Sequence, residues 1–113
     1  MHEMSVALGI VKIAEAEAKK AKANTVDLIE LEIGTLAGIE FESLDFVWPA
    51  AVKDTILEHA IKKVHIIQGQ GKCGDCESVF DLKNIYDQCP KCASFLKSIL
   101  FGKELRVKTL EVS

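Results

Sequence analysis

Apolar residues recur with helical spacing at the start of the chain. Val6, Ile10 and Ile13 lie three and four positions apart, and small apolar residues widen the same face: Ala7, Val11, Ala14 and Ala18. This spacing predicts an amphipathic helix over residues 4–22. A second stripe of Phe41, Leu44, Val47 and Trp48 predicts another helix from about Glu40 to Lys53. Pro49 lies inside this pattern, and its missing N–H group predicts a kink or break there.

Three segments instead alternate with the period of a β-strand. Ile29, Leu31 and Ile33 share one side of residues 25–33, residues 60–68 are rich in Val and Ile, and residues 105–110 alternate again. A short C-terminal strand is not stable alone, so it joins the sheet formed by the other two. The predicted fold class is α+β, a small three-stranded sheet with two helices. Residues 1–69 with 103–113 form this domain, and residues 70–102 are a module inserted into it.

Composition limits the size, the location and the cysteine chemistry that we expect of this protein. The chain has 113 residues, a formal charge of −3 and 49% hydrophobic residues, which fits one domain or one domain with a small satellite. No apolar stretch approaches the ~20 residues of a membrane-spanning helix, and the N-terminus lacks a secretory pattern. We therefore expect no membrane partner and a cytoplasmic location. Thiols stay reduced there, so the four cysteines are not expected to form disulfides.

The inserted segment carries a metal-binding pattern. Cys73-Gly-Asp-Cys76 is followed, after twelve residues, by Cys89-Pro-Lys-Cys92. Two such pairs supply four thiolates in a tetrahedron, which suits Zn²⁺. A module of this size buries too little apolar area to be stable alone, and metal ligation supplies the missing free energy. We predict a structural zinc ribbon, with a hairpin between Val79–Leu82 and a return through Ile85 and Tyr86.

Four clustered thiolates have two other uses in proteins. They could hold a redox-active iron, as in rubredoxin-like proteins, but few aromatic residues surround the motif. Zinc ribbons also bind nucleic acid. Residues 70–103 hold five lysines and four acidic residues, so four thiolates and one Zn²⁺ bring the module to −1. Since phosphate contacts dominate nucleic-acid affinity, no nucleic-acid partner is expected.

His2 is the unusual residue of the N-terminus. A free amine on Met1, the amide nitrogen of His2 and its imidazole Nδ1 can close two fused chelate rings around one metal ion. This donor set favours square-planar Ni²⁺ or Cu²⁺, with Glu3 or its amide completing the plane. Taken alone, His2 is better interpreted as a solvated terminal residue. His59 and His65 are expected to be surface or packed side chains.

The order of four motifs is more specific than any one of them. The chain closely resembles the HypA/HybF family of nickel-delivery metallochaperones over essentially its whole length. The resemblance rests on Met1–Ser5, Leu31–Gly34, the paired cysteines and Gly102–Lys108. It implies maturation of [NiFe]-hydrogenase and, in some members, of urease.

The resemblance also implies the site residues and partners. His2 and Glu3 would hold labile nickel, with the backbone amine of Met1 contributing and Glu40 close by. Cys73, Cys76, Cys89 and Cys92 would hold structural zinc. A HypB-like GTPase and the hydrogenase large-subunit precursor would be the partners, and the protein would be a monomer or homodimer. No catalytic set can be assembled, so no enzymatic activity is expected. The alternative function is a zinc-ribbon adaptor that acts only through protein–protein contacts.

Overall fold

The computed structural model describes residues 2–113, which form two helices and six strands. The helices are α1 (Glu3–Lys20) and α2 (Phe41–Val52). The strands are β1 (Val26–Gly34), β2 (Ile61–Ile67), β3 (Gln70–Cys73), β4 (Val79–Asp81), β5 (Lys97–Phe101) and β6 (Leu105–Val112). They form two three-stranded sheets, β2-β1-β6 and β4-β3-β5. The predicted α+β class is confirmed. No helix in residues 2–113 is both long and apolar enough to cross a membrane.

The chain divides into two compact units. Among the described residues, the first unit contains 2–32, 39–65 and 106–113, and the second contains 33–38 and 66–105. The first therefore holds both helices and most of the β2-β1-β6 sheet. The second holds the β4-β3-β5 sheet and all four cysteines.

Strand β1 is the centre of the first sheet. Its residues Ile29, Leu31 and Ile33 are buried, as their alternation predicts. Ser113 exchanges hydrogen bonds with Thr25, and the Gly34 N–H donates to the Glu104 carbonyl. Opposite ends of β1 and β6 are thus paired, so the C-terminal strand returns antiparallel to β1.

Helix α1 lies where it is predicted, but one side chain expected on its buried face is exposed. Ala7, Ile10, Val11, Ala14 and Ala18 are buried, but Ile13 is 49% exposed. Ile13 lies on the flank of the helix that faces β6, where it lines a groove of about 430 Å³ with Val107 and Leu110. The apolar stripe of α1 is therefore wider than the surface that the sheet covers.

Helix α2 is not broken at Pro49. It continues to Val52, and Ala51 and Val52 at its end are buried. Pro49 lies on the exposed side of the last turn, four residues after the exposed Asp45. The hydrogen bond that Pro49 cannot make would have joined two exposed residues, and burial of Ala51 and Val52 in the last turn offsets its loss.

The predicted hairpin of the ribbon is partly wrong. Val79–Asp81 is a strand, but Ile85 and Tyr86 do not form its return. The carboxylate of Asp87 accepts the N–H groups of Lys83 and Asn84, and the Asn84 side chain accepts that of Tyr86. These side-chain bonds take the place of ladder hydrogen bonds. The central strand of the ribbon is β3, which pairs antiparallel with β4 and with β5.

A close backbone approach within the second unit explains Gly34. A Cβ on Gly34 would lie 2.7 Å from the Gly102 Cα and closer still to the Gly102 carbonyl. That carbonyl cannot easily move, because it accepts the Leu36 N–H at 2.7 Å. Gly34 itself donates to Glu104 at 2.7 Å. The position therefore requires the absence of a side chain.

Substitution of this glycine is expected to be costly. Gly34→Ala should lower the free energy of unfolding by about 3 kcal/mol, since backbone atoms must separate to admit the Cβ. Gly9→Ala is the matched control, because nothing lies within 4 Å of its Cβ position in α1. That variant should gain roughly 0.5–1 kcal/mol from helix propensity. Urea unfolding followed by circular dichroism compares the two, and equal stabilities would contradict the packing argument.

Candidate metal sites

The four cysteines converge at one point of the second unit. Their sulfur atoms all lie within 4.8 Å of one another. Cys73 Sγ is 3.5 Å from Cys92 Sγ, and Cys76 Sγ is 3.5 Å from Cys89 Sγ. In each Cys-x-x-Cys turn the first cysteine, Cys73 or Cys89, is buried and the second, Cys76 or Cys92, is exposed. The cluster therefore has one side in the ribbon core and one side toward solvent, and four sulfurs at this spacing fit a zinc ion.

The two cysteine turns have the same backbone design. In the first turn, the Cys73 N–H donates to the Ser78 carbonyl and the Glu77 N–H donates to the Cys73 carbonyl. In the second turn, the Cys89 N–H donates to the Ser94 carbonyl and the Ala93 N–H donates to the Cys89 carbonyl. Glu77 and Ala93 both adopt left-handed backbone, with φ of 63° and 61°. Each turn therefore folds its pair of sulfurs to one side by the same hydrogen bonds.

Two serines of these turns also belong to the site, although the cysteine spacing does not predict them. Ser78 Oγ lies 3.2 Å from Cys76 Sγ, and Ser94 Oγ donates to the Asp75 carboxylate, which joins one turn to the other. The signal was present, because both turns read Cys-x-x-Cys-x-Ser. A repeat search that extended two residues past each pair would have found it.

The metal-free thiols differ in their affinity for protons. The hydroxyl of Ser78, then its backbone N–H, lowers the pKa of Cys76 to about 6. Backbone N–H groups of Cys76 and Asp75 also lower the pKa of Cys73, to which they donate at 3.5 and 3.4 Å. The Ser94 N–H favours the Cys92 thiolate, yet Cys73, burial and the other two sulfurs together raise the pKa of Cys92 to about 12. Four thiolates this close require a cation, and a metal ion would displace the remaining protons.

The ribbon core around the sulfurs is small. Its buried members are Cys73, Phe80, Leu82 and Cys89, with Leu36 and Ile99 packed against them. Two of the four buried residues are therefore candidate metal ligands themselves. Apolar burial on this scale contributes little, so the metal is expected to supply most of the stability of the ribbon.

The N-terminal candidates are placed at the first turn of α1. His2 is the N-cap residue, with extended backbone and an exposed side chain that makes no capping hydrogen bond. Its carbonyl accepts the Val6 N–H at 3.1 Å, so the backbone of His2 is fixed to the helix while the imidazole is not. The predicted ligand on Met1, its amine, lies outside the described residues.

Glu3 connects this end of α1 to the start of α2. Its carboxylate Oε2 accepts the backbone N–H of Glu40 at 3.2 Å. Glu40 is the N-cap of α2, and its own side chain makes no capping hydrogen bond. The Glu3 carboxylate therefore serves the positive end of α2 in place of a local cap.

The side chains of His2, Glu3 and Glu40 do not form a metal cluster. Within residues 2–113, the four cysteines are the one group of three or more side-chain ligands that could hold an ion. The structure brings Glu3 to the backbone of Glu40 and leaves His2 exposed beside it in the chain. A nickel ion here would therefore depend on backbone nitrogen donors as well as on the imidazole.

Known proteins resemble this chain over almost its whole length. The family model described as hydrogenase/urease nickel incorporation, metallochaperone, hypA matches residues 1–112. A hydrogenase maturation factor HypA of Parabacteroides distasonis is 44% identical over 112 residues, which cover 99% of this chain and 97% of the relative. One of Francisella philomiragia is 40% identical over 110 residues, 97% of each chain. The solution structure of the Ni metallochaperone HypA from Helicobacter pylori aligns with a TM-score of 0.70 at 26% identity. The alignment covers 99% of this chain and 97% of that one.

Proposed function

The chain belongs to the HypA family of hydrogenase/urease nickel-incorporation metallochaperones, and on that premise we propose that it carries Ni²⁺ at its N-terminus. The recipient is the large-subunit precursor of [NiFe]-hydrogenase, and urease is a second target of the same kind. The relatives are named hydrogenase maturation factors, which supports delivery to an enzyme under assembly.

The observation that carries this proposal is the conformation of His2. An exposed imidazole on extended backbone, directly before a fixed helix, can turn back toward the N-terminus. The Met1 amine and the His2 amide nitrogen would then close a five-membered ring, and that amide and Nδ1 a six-membered ring. Nitrogen donors in one plane suit Ni²⁺. Exposure of the site makes the ion accessible to an acceptor.

Glu3 and Glu40 have supporting roles in this proposal. The Glu3 carboxylate holds the Glu40 N–H, which places the start of α2 beside the first residues of the chain. Glu3 then completes the nickel coordination through its amide, or through its carboxylate when that hydrogen bond opens. The exposed Glu40 carboxylate is a second anionic group for the ion.

The four cysteines would hold zinc as a permanent structural ion. Cys73, Cys76, Cys89 and Cys92 provide soft thiolates, which select Zn²⁺, whereas the N-terminal donors are nitrogen and oxygen. Ligand chemistry thus keeps the transported ion apart from the structural ion. Reduced thiols are needed for this site, which supports a cytoplasmic location. A HypB-like GTPase would cooperate in the transfer step.

Blocking the N-terminal amine tests the proposed chelate. Adding an uncleaved Gly-Ser dipeptide before Met1 converts the amine into an amide, which removes one donor and one chelate ring. Nickel affinity measured by equilibrium dialysis should fall by at least about tenfold, equivalent to ~1.4 kcal/mol. The control adds the same dipeptide after Ser113 and should bind nickel as the unextended protein does. Equal binding by both extended proteins would remove the amine from the site.

A further inference from the structure

The outer face of α2 presents an exposed aromatic side chain. Phe46 is 86% exposed, the largest exposed fraction among the large apolar residues of the described chain. It lies opposite the buried stripe of Leu44, Trp48 and Val52. Its neighbours one turn away on the same face are Glu42 and Ala50, with Pro49 beside them. A phenyl ring that projects beyond small neighbouring side chains can enter a pocket of another protein without obstruction.

The charge around this face is acidic toward the start of the helix. Residues 40–52 contain three carboxylate side chains and no lysine or arginine, and Lys53 follows the end of the helix. Asp45 is neutralised by Lys62, whose ammonium lies 2.7 Å from its carboxylate and 4.9 Å from the Trp48 ring. Glu40 and Glu42 are exposed and form no salt bridge with any residue from 2 to 113. Two uncompensated carboxylates therefore lie on the N-terminal side of Phe46.

This face is close to the proposed nickel site. Phe46 follows Glu40 by six residues, which is about 9 Å along the axis of a helix. Glu40 in turn is hydrogen-bonded to the carboxylate of Glu3. A protein that only triggers release can bind anywhere, whereas a protein that takes the ion must reach the first residues of the chain. A partner seated on Phe46 would meet that requirement.

We propose that Glu42, Phe46, Pro49 and Ala50 form the docking face for the protein that accepts nickel. The acceptor presents an apolar pocket for the phenyl ring, with lysine or arginine on the rim that meets Glu40 and Glu42. This inference rests on the proposed function, because it assigns a partner to the same nickel site.

The size of the face favours such a partner over a second copy of this chain. One phenyl ring buries about 200 Å², and its neighbours Pro49 and Ala50 are small. A stable homodimer buries ~1,200–2,000 Å² or more, mostly apolar at its centre. A single aromatic anchor with a charged rim is instead typical of a contact that forms and separates. Separation is what a delivery step requires.

Binding of the nickel-free hydrogenase large-subunit precursor tests the proposal. Calorimetric titration compares the wild-type protein with Phe46→Ala and with the matched control Tyr86→Ala, a 77% exposed aromatic of the second unit. Phe46→Ala should raise Kd at least about tenfold, and Tyr86→Ala less than about twofold. Thermal unfolding should be the same for all three, since both rings are in solvent. Unchanged precursor binding by Phe46→Ala, or equal losses in both variants, would overturn the proposal.

A second pair of variants tests the charged rim. Glu42→Gln should slow association with the precursor and flatten its salt dependence, whereas Glu111→Gln, an exposed carboxylate of β6, should change neither. The proposal is overturned if the two variants behave alike. It is also overturned if Phe46→Ala weakens only self-association in sedimentation, or only binding of the GTPase.

Nickel dialysis on the same proteins separates this proposal from the function on which it rests. Phe46→Ala should retain nickel as the wild type does. If the wild type holds no nickel at its N-terminus but Phe46→Ala still loses the precursor, the carrier proposal fails and the docking face stands. If nickel binding is normal and Phe46 has no effect, the docking face alone fails. A wild-type protein that does not bind the precursor overturns the docking face as well.

Discussion

Replacing His2 with Ala is expected to abolish stoichiometric nickel binding while the zinc content stays at one ion per chain. The imidazole closes the six-membered chelate ring, and without it the amine and amide nitrogens bind Ni²⁺ weakly. The imidazole makes no capping hydrogen bond to α1, so its loss should leave the fold intact. Equilibrium dialysis and metal analysis of the untagged protein provide the measurement.

A matched control is available in the second exposed histidine. His59→Ala removes an imidazole whose side chain is 92% exposed and whose contact is the neighbouring Glu58. It should bind nickel as the wild type does. Nickel binding that survives in His2→Ala, or that falls equally in both variants, would place the ion elsewhere.

Replacing Cys89 with Ser is expected to unfold the ribbon while the helices remain. Cys89 is 2% exposed and is one of four buried residues in the ribbon core, so the change removes a thiolate ligand and leaves a hydroxyl group in that core. Structural zinc contributes on the order of 10 kcal/mol to the folding of small zinc modules, far more than this core can supply. Amide resonances of the second unit should collapse toward random-coil shifts, and helical circular dichroism should persist.

The control for this experiment keeps all four thiolates. Lys91→Ala changes an exposed residue between Cys89 and Cys92 and should retain zinc and the dispersed ribbon resonances. A Cys89→Ser protein with unchanged ribbon resonances after zinc loss would mean that apolar packing, not metal, holds the module.

Local patterns predicted the elements whose side chains have one clear buried face. Strand β1 is an example, because Ile29, Leu31 and Ile33 alternate along it and all three are buried. Ile13 shows the limit of the same argument. Helical spacing indicates which residues share a face of α1. How many of them are covered depends on how far β6 extends beneath the helix. Only the tertiary arrangement contains that information.

The ribbon strands were harder to predict than its metal ligands. Four cysteines at fixed spacing indicate a site by chemistry alone, and the structure brings their sulfurs together. Strand β3 has only four residues, and its two buried positions hold Gly71 and Cys73 instead of large apolar side chains, so its alternation is a weak signal. Its strand conformation comes from pairing with β4 on one side and β5 on the other, which are contacts distant in sequence.

The N-terminal site depended on chemistry that no side-chain pattern shows. Two of the proposed nickel donors are backbone nitrogens, so a search for clustered side chains cannot find them. The hydrogen bond from the Glu40 N–H to Glu3 was likewise not predictable from spacing, because 37 residues separate the two. The structure adds this link between the first turns of α1 and α2.

X-ray absorption at the nickel edge, on zinc-loaded protein with one equivalent of Ni²⁺, tests the central claim most directly. Nickel held at the N-terminus should show only nitrogen and oxygen neighbours, while the zinc edge of the same sample shows four sulfurs at ~2.3 Å. Sulfur neighbours around nickel would mean that the ion occupies the cysteine cluster, and the separation of carrier site from structural site would be wrong.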